Sequence, residues 1–325
     1  MAHKNQNDTT LNRNERIIGV FDEGYRGPLI IMVGGIHGNE KAGVKALEYL
    51  IKMLEVEHIT NETFRFAGKL IAIKGNIQAL NSGKRYINRD LNRMFRHDLI
   101  QTFLTIDNRT DEEKELIEII DLFRNSIGDY HPERLYVLDL HTTTAAGGIF
   151  TIVDDSTEAL KISLELKAPV IEGFLDGIKG TVLHYLNSDN LAHDCTALCF
   201  EAGQHDDPLS VNRCIAAAVN FLSSVGAVDR MHIAQRHHRI LHDHAAGLPV
   251  HSRLIYTHKI QDGDQFQMKP GYRNFDSISE GELLAHDING PIYAPSAGKI
   301  LMPHYQEQGE DGFFIVMPLS EEVIP

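Results

Sequence analysis

The chain has 325 residues, 42% of them hydrophobic, enough to build a sizeable core as one large domain or two smaller ones. Its 31 Lys and Arg are outnumbered by 45 Asp and Glu, giving a formal charge of -14. Such a surface repels phosphate backbones and anionic headgroups, so nucleic acid and membranes are not expected partners.

The first 16 residues, MAHKNQNDTTLNRNER, are polar and lack the apolar stretch of a secretory signal. A flexible tail over 1–16 is expected. Ile17–Phe21 and Leu29–Val33 are short β-rich runs joined by the turn-rich DEGYRGP, which predicts neighbouring strands. After HGNE, the apolar residues Val44, Leu47, Leu50, Ile51 and Leu54 recur at helical spacing. KLIAIK (69–74) predicts a buried strand, and EEKELIEIIDLF (112–123) an amphipathic helix. LYVLDL (135–140) predicts a strand ending at His141, and TALCF (196–200) one ending at Glu201. A helix is expected over 212–223.

Alternating strands and helices predict an α/β fold, a central sheet flanked by helices. The chemically interesting residues fall just past strand C-termini, the rim where open α/β sheets bind ligands. Beyond about Val228 the helical periodicity fades and short alternating runs with Gly and Pro take over, as in GELLAHDINGPIYAPSAGKILM. The expected organisation is a domain over 17–228 and a smaller all-β domain over 229–325. Cys195, Cys199 and Cys214 are odd in number and sparse, as reduced thiols of a cytoplasmic protein would be. No apolar run is long enough to span a bilayer as a helix.

Three clusters carry chemistry. His37 and Glu40 sit where a strand becomes a helix, and His141 follows another strand. Two His and one carboxylate with an open fourth position form a catalytic zinc arrangement. HGNE alone, however, reads equally as a polar turn. Asp139 shares a strand face with His141 and can accept a hydrogen bond from a ligating imidazole. KRYINRDLNRMF gathers Arg85, Asn88, Arg89, Asp90, Asn92 and Arg93. Guanidinium groups there can bind a carboxylate or polarise a carbonyl, and the same run reads as a solvated loop. Glu201, directly after an apolar strand, can take a proton from an attacking water and hand it to a leaving amine, or merely sit at a helix N-terminus.

GGIHGNE, RYINRDLNRMF, DLHTTT and FEAG together, in this order, resemble the aspartoacylase and succinylglutamate desuccinylase family of the zinc carboxypeptidase clan. The resemblance covers roughly Ile17 to Ser223. It implies a zinc carboxypeptidase-like mixed sheet and one zinc ion held by His37, Glu40 and His141. Glu201 matches the general base and acid, and Arg85 the arginine that polarises the scissile carbonyl. Asn92 and Arg93 match the pair that holds a substrate carboxylate. Asp90 and Asp139 match supporting positions, and Tyr305 loosely matches a tyrosine that reaches into the pocket from the C-terminal region.

One feature departs from the family. Its further carboxylate-binding arginine, shortly before the catalytic glutamate, has no counterpart, because Gly180–Phe200 contains neither Arg nor Lys. That weighs against acetylaspartate and succinylglutamate, since a buried carboxylate without a partner is costly. His184 and His193 are candidates to stand in. Lys299 lacks the hairpin context of a carrier lysine and reads as a surface residue. MHIAQRHHRILHDH (231–244) carries five His but no ligand-spaced acids or cysteines, and reads as ordinary surface.

The expected protein is a cytoplasmic zinc-dependent amidohydrolase that cleaves an N-acyl amino acid or similar small linear amide. Its expected partner is that small molecule, and a homo-oligomer is compatible with the sequence. The rivals are a metallocarboxypeptidase for short peptides and a non-enzymatic zinc-dependent binder of amino-acid derivatives.

Overall fold

The computed structural model describes residues 15–232 and 235–320, so residues 1–14 of the expected tail lie outside it. Arg16, at the end of that stretch, is buried. Its guanidinium pairs with Glu115 and Glu118 and donates to the carbonyls of Lys74 and Gly75.

The strands in chain order are β1 (Ile17–Asp22), β2 (Tyr25–Gly34), β3 (Ala67–Lys74), β4 (Leu135–Thr143), β5 (Phe150–Val153), β6 (Val170–Glu172) and β7 (Cys195–Gln204). The helices between and after them are α1 (Lys41–Thr60), α2 (Ile77–Ser82), α3 (His97–Thr105), α4 (Asp111–Tyr130), α5 (Thr157–Glu165), the short α6 (Phe174–Gly177), α7 (Val182–Tyr185) and α8 (Ser188–Leu191), and α9 (Ser210–Ser224). The strands of β3, β2, β4 and β7 run parallel as neighbours at the centre. Parallel neighbours need crossover connections, which α1 and the α2–α4 stretch supply.

The expected β1–β2 neighbourhood is corrected here. β3 lies between them, parallel to β2 and antiparallel to β1. A short link joins β1 and β2 in sequence, but β2 is buried from Leu29 onward and takes parallel partners on both sides. β1, half exposed, caps the free edge of β3.

Successive side chains of a strand point to opposite faces. On β4, Tyr136, Leu138 and Leu140 join the core beneath α1, α5 and α9, while Leu135 and Val137 join the core beneath α4 and the short helices. The odd-numbered face then continues past Val137 to Asp139 and His141.

The C-terminal strands are β8 (His251–Lys259), β9 (Gln267–Met268), β10 (Ser277–Ile278), β11 (Leu283–Asp287), β12 (Gly290–Tyr293), β13 (Gly298–Leu301) and β14 (Asp311–Pro318). β8 pairs with β6, and β14, β13 and β10 follow, so one mixed sheet reaches 11 strands. β9, β11 and β12 form a separate antiparallel sheet over a small core with Leu284, Ile300 and Phe313. Between the two regions a further helix, α10 (Gln235–Ala245), occupies the His-rich stretch, where fading periodicity led us to expect no helix. Among its described side chains only Ile240 and Leu241 are apolar residues packed on the core, too few to show a helical stripe. No described helix is long and apolar enough to cross a membrane.

Candidate active site

The HGNE turn is shaped by glycines that permit close backbone approach. A Cβ on Gly38 would lie 2.0 Å from the carbonyl carbon of Ala79, and one on Gly34 would lie 2.7 Å from that of Gly43. The first lets the turn pack on α2, and the second brings α1 against β2. The Gly38 amide donates to the Arg85 carbonyl at 3.1 Å, which ties the turn to the arginine-rich loop. His37 and Glu40 thus project above the strand ends. His141 on β4 and Glu201 on β7 stand opposite one another in register.

One ligand atom from each of His37, Glu40 and His141 lies within 4.8 Å of the others, and all three residues are buried. Among the described residues this is the one such group. Glu40 Oε1 is 2.8 Å from His37 Nδ1, and Oε2 is 3.1 Å from His141 Nδ1 while accepting from the Thr142 amide at 2.9 Å. The outer nitrogens face carboxylates: His37 Nε2 lies 3.1 Å from Asp90 Oδ1, and His141 Nε2 lies 2.8 Å from Asp139 Oδ2. An imidazole that donates Nε2–H to a carboxylate keeps Nδ1 as the free base, the form that binds a metal. This donor set fits a divalent cation such as zinc.

The charges reinforce one another. Burial opposes ionisation of Glu40, but His37 and His141 outweigh it and hold the carboxyl well below its usual range. Burial likewise disfavours charge on His141, and Asp139 and Glu40 overcome it, raising its pKa well above the ordinary value. For Glu201 burial wins. It pushes the carboxyl up to about 8, with His141 pulling the other way and Glu40 and Asp139 adding to the rise. Glu201 Oε2 is buried without a hydrogen-bond partner.

Asp90 is shared. Its Oδ2 accepts from Arg85 Nε at 3.1 Å and Nη2 at 3.0 Å, while Oδ1 faces His37. Arg85 Nη1 lies 3.6 Å from Glu40 Oε1. The loop carrying these groups hangs on buried Glu112, which accepts from the amides of Ile87 and Asn88 and from the side chains of Asn76 and Asn88. Asn88 therefore braces the loop, and Arg89 is exposed on it. Asn92 Oδ1 accepts from the Val182 amide at 2.9 Å, leaving Nδ2 as its donor group. Arg93 pairs with Asp311, and its Nε lies 2.9 Å from Glu310 Oε1.

His37, Glu40, Arg85, Asn92, Arg93, Asp139, His141 and Glu201 all line one cavity. Asp90 stands just behind it. Tyr305 does not join them. Its hydroxyl donates to the Lys269 carbonyl at 2.9 Å and accepts from the Tyr272 amide, so that group is spent within the C-terminal region. The segment's neighbours His304 and Gln306 instead line a polar extension of the cavity with Arg85, Arg93 and His205. Nor do His184 and His193 line the cavity; His184 bridges Thr181 and the Leu175 carbonyl. Lys299 donates to Ser277.

The sequence did not point to Asp311, Glu310 or the apolar wall of the cavity. Asp311 meets Arg93 across 218 positions of sequence, and no local spacing signals such a contact. His205 stands four residues after Glu201, close enough to the FEAG motif to be marked from the sequence. It contacts Thr142 Oγ1 at 2.7 Å.

Residues 26–180 match the succinylglutamate desuccinylase/aspartoacylase catalytic domain, a range that holds every cavity residue named above except Glu201, His205, His304 and Gln306. The succinylglutamate desuccinylase of Photorhabdus laumondii subsp. laumondii is 24% identical over 295 residues, covering 87% of this chain and 83% of that protein. A probable aspartoacylase of Parasynechococcus marenigrum is 34% identical over 125 residues, covering 38% of this chain and only 37% of that protein. Among solved structures, the succinylglutamate desuccinylase of Vibrio parahaemolyticus superposes with a TM-score of 0.60 at 19% identity, covering 93% of this chain and 86% of that one, a likeness of fold.

Proposed function

We propose that this chain, whose residues 26–180 match the succinylglutamate desuccinylase/aspartoacylase catalytic domain, is a zinc-dependent hydrolase of linear amides that frees an amino acid or similar small amine from an N-acyl precursor. The observation that carries this reading is the convergence, in one cavity, of His37, Glu40 and His141 with a carboxylate, Glu201, whose buried oxygen has no partner.

His37 Nδ1, Glu40 and His141 Nδ1 would hold the ion, with Asp90 and Asp139 fixing the two rings. When bound, it polarises the amide carbonyl and makes water a stronger acid. Glu201 takes the proton of the attacking water on its free oxygen and passes it to the departing nitrogen. Arg85, held rigid by Asp90, donates to the carbonyl oxygen as negative charge builds there.

Asn92 Nδ2 and Arg93 orient a substrate carboxylate. Glu310, with a side chain 54% exposed, is the Arg93 partner that such a carboxylate would replace, while the more buried Asp311 stays. We further propose that the 229–325 region narrows the mouth, since Met302 and Phe314 line the cavity.

Glu201→Gln tests the assignment. It keeps the shape and removes the base, so turnover is expected to fall by roughly 100- to 10,000-fold, with zinc content and ligand affinity retained. Turnover left intact in that variant would refute it.

A further inference from the structure

Apart from its polar groups, the cavity is lined chiefly by apolar side chains, among them Ile152, Phe174, Ile178, Leu183 and Phe314. Each is nearly or fully buried. They come from β5, α6, the loop after it, α7 and β14, so distant parts of the chain agree on an apolar surface. The only arginine or lysine side chains lining the cavity among the described residues are Arg85 and Arg93. Both already face carboxylates, Arg85 with Asp90 and Arg93 with Asp311 and Glu310.

The cavity measures about 80 Å³. A second carboxylate placed against this wall would lose its water and find no free cation, and the hydroxyl beside it, that of Thr181, is already engaged with His184 Nδ1 at 2.7 Å. An alkyl or aromatic group there would displace water and bury apolar area.

We infer that the substrate sets an uncharged, apolar group against this wall and carries a single carboxylate, and that amides with a second carboxylate are rejected. For the reaction this rests on the amide-hydrolase reading. The selectivity itself is a property of the wall and is open to binding measurements.

The test uses matched pairs on the zinc-loaded full chain: N-acetyl-leucine against N-acetyl-aspartate, and N-butanoyl-glycine against N-succinyl-glycine. Amine release gives kcat/KM for the wild type, and calorimetry gives Kd for Glu201→Gln. In at least one pair the apolar member is expected to be favoured by about 100-fold or more, and in neither pair is the dicarboxylate to be favoured. Leu183→Arg is expected to narrow the gap at least tenfold by giving the second carboxylate a partner. If that variant does not fold, Leu183→Ala is expected to weaken the apolar member more than its dicarboxylate partner. Equal or better binding or turnover of the dicarboxylate in either pair would overturn the inference, as would no binding of any member. Apolar-selective binding with no hydrolysis at all would uphold the inference and refute the hydrolase reading.

Discussion

Asp139 and Asp90 do for the two imidazoles what no ligand can do for itself: each fixes a ring and its tautomer. Asp139→Asn is therefore expected to weaken zinc affinity about 10- to 100-fold, measured by competition with a chromophoric chelator. Unchanged affinity would reduce Asp139 to packing. Glu201 gives a second expectation, for the metal-stripped protein. Its folded pKa of about 8 stands above an ordinary value near 4.5, so the folded chain keeps a proton that the unfolded chain loses. That stability is complete below about pH 4.5 and is lost as pH rises to about 8. Urea titrations should show Glu201→Gln gaining on the wild type across that window; a pH-independent difference would contradict the burial argument. These residues were legible because each follows an apolar strand or sits in a short motif. Tyr305 stands outside the cavity lining and Asp311 went unmarked because both depend on how the C-terminal region folds back, which no local pattern encodes.

At the scale of elements, the site depends on how closely one turn can lie against a helix. Gly38 meets the backbone of α2 where no side chain fits. Gly38→Ala is expected to cost roughly 1–3 kcal/mol and, by moving the turn, to lower zinc binding while far-UV circular dichroism stays native. A variant that binds zinc normally would show that the turn can shift without carrying His37 and Glu40. The strands and long helices were readable from apolar period and length. The place of β3 between β1 and β2 was not, because a short link in sequence suggests a hairpin while buried β2 takes parallel partners on both edges. α10 escaped notice because a helix with two packed apolar residues leaves almost no periodic trace.

Across the whole molecule, the sheet that carries the proposed metal ligands runs on without a break into the C-terminal strands. β14 supplies Phe314 to the cavity wall and Asp311 to Arg93. Segments more than 200 residues apart in sequence thus meet at the site. Asp311→Asn leaves a nearly buried guanidinium short of one of its carboxylate partners, an effect worth about 3 kcal/mol of stability, with a raised KM for any carboxylate-bearing amide. Chemical denaturation and steady-state kinetics on the same preparation would read both. A stability within about 0.5 kcal/mol of wild type would show the pair to be no more than a surface contact. The composition and strand order were enough to read an α/β sheet with a β-rich C-terminal part. The continuity of that sheet depends on pairings such as β6 with β8, which are decided by packing rather than by local sequence.

The measurement that bears most directly on the central claim is amine release from a panel of N-acyl amino acids and short peptides by the same protein zinc-loaded, chelator-stripped and reloaded. The account expects turnover of at least one N-acyl amino acid that disappears on stripping, returns on reloading and is absent from Glu201→Gln. Silence across the panel with zinc demonstrably bound, or hydrolysis indifferent to zinc and to Glu201, would contradict it.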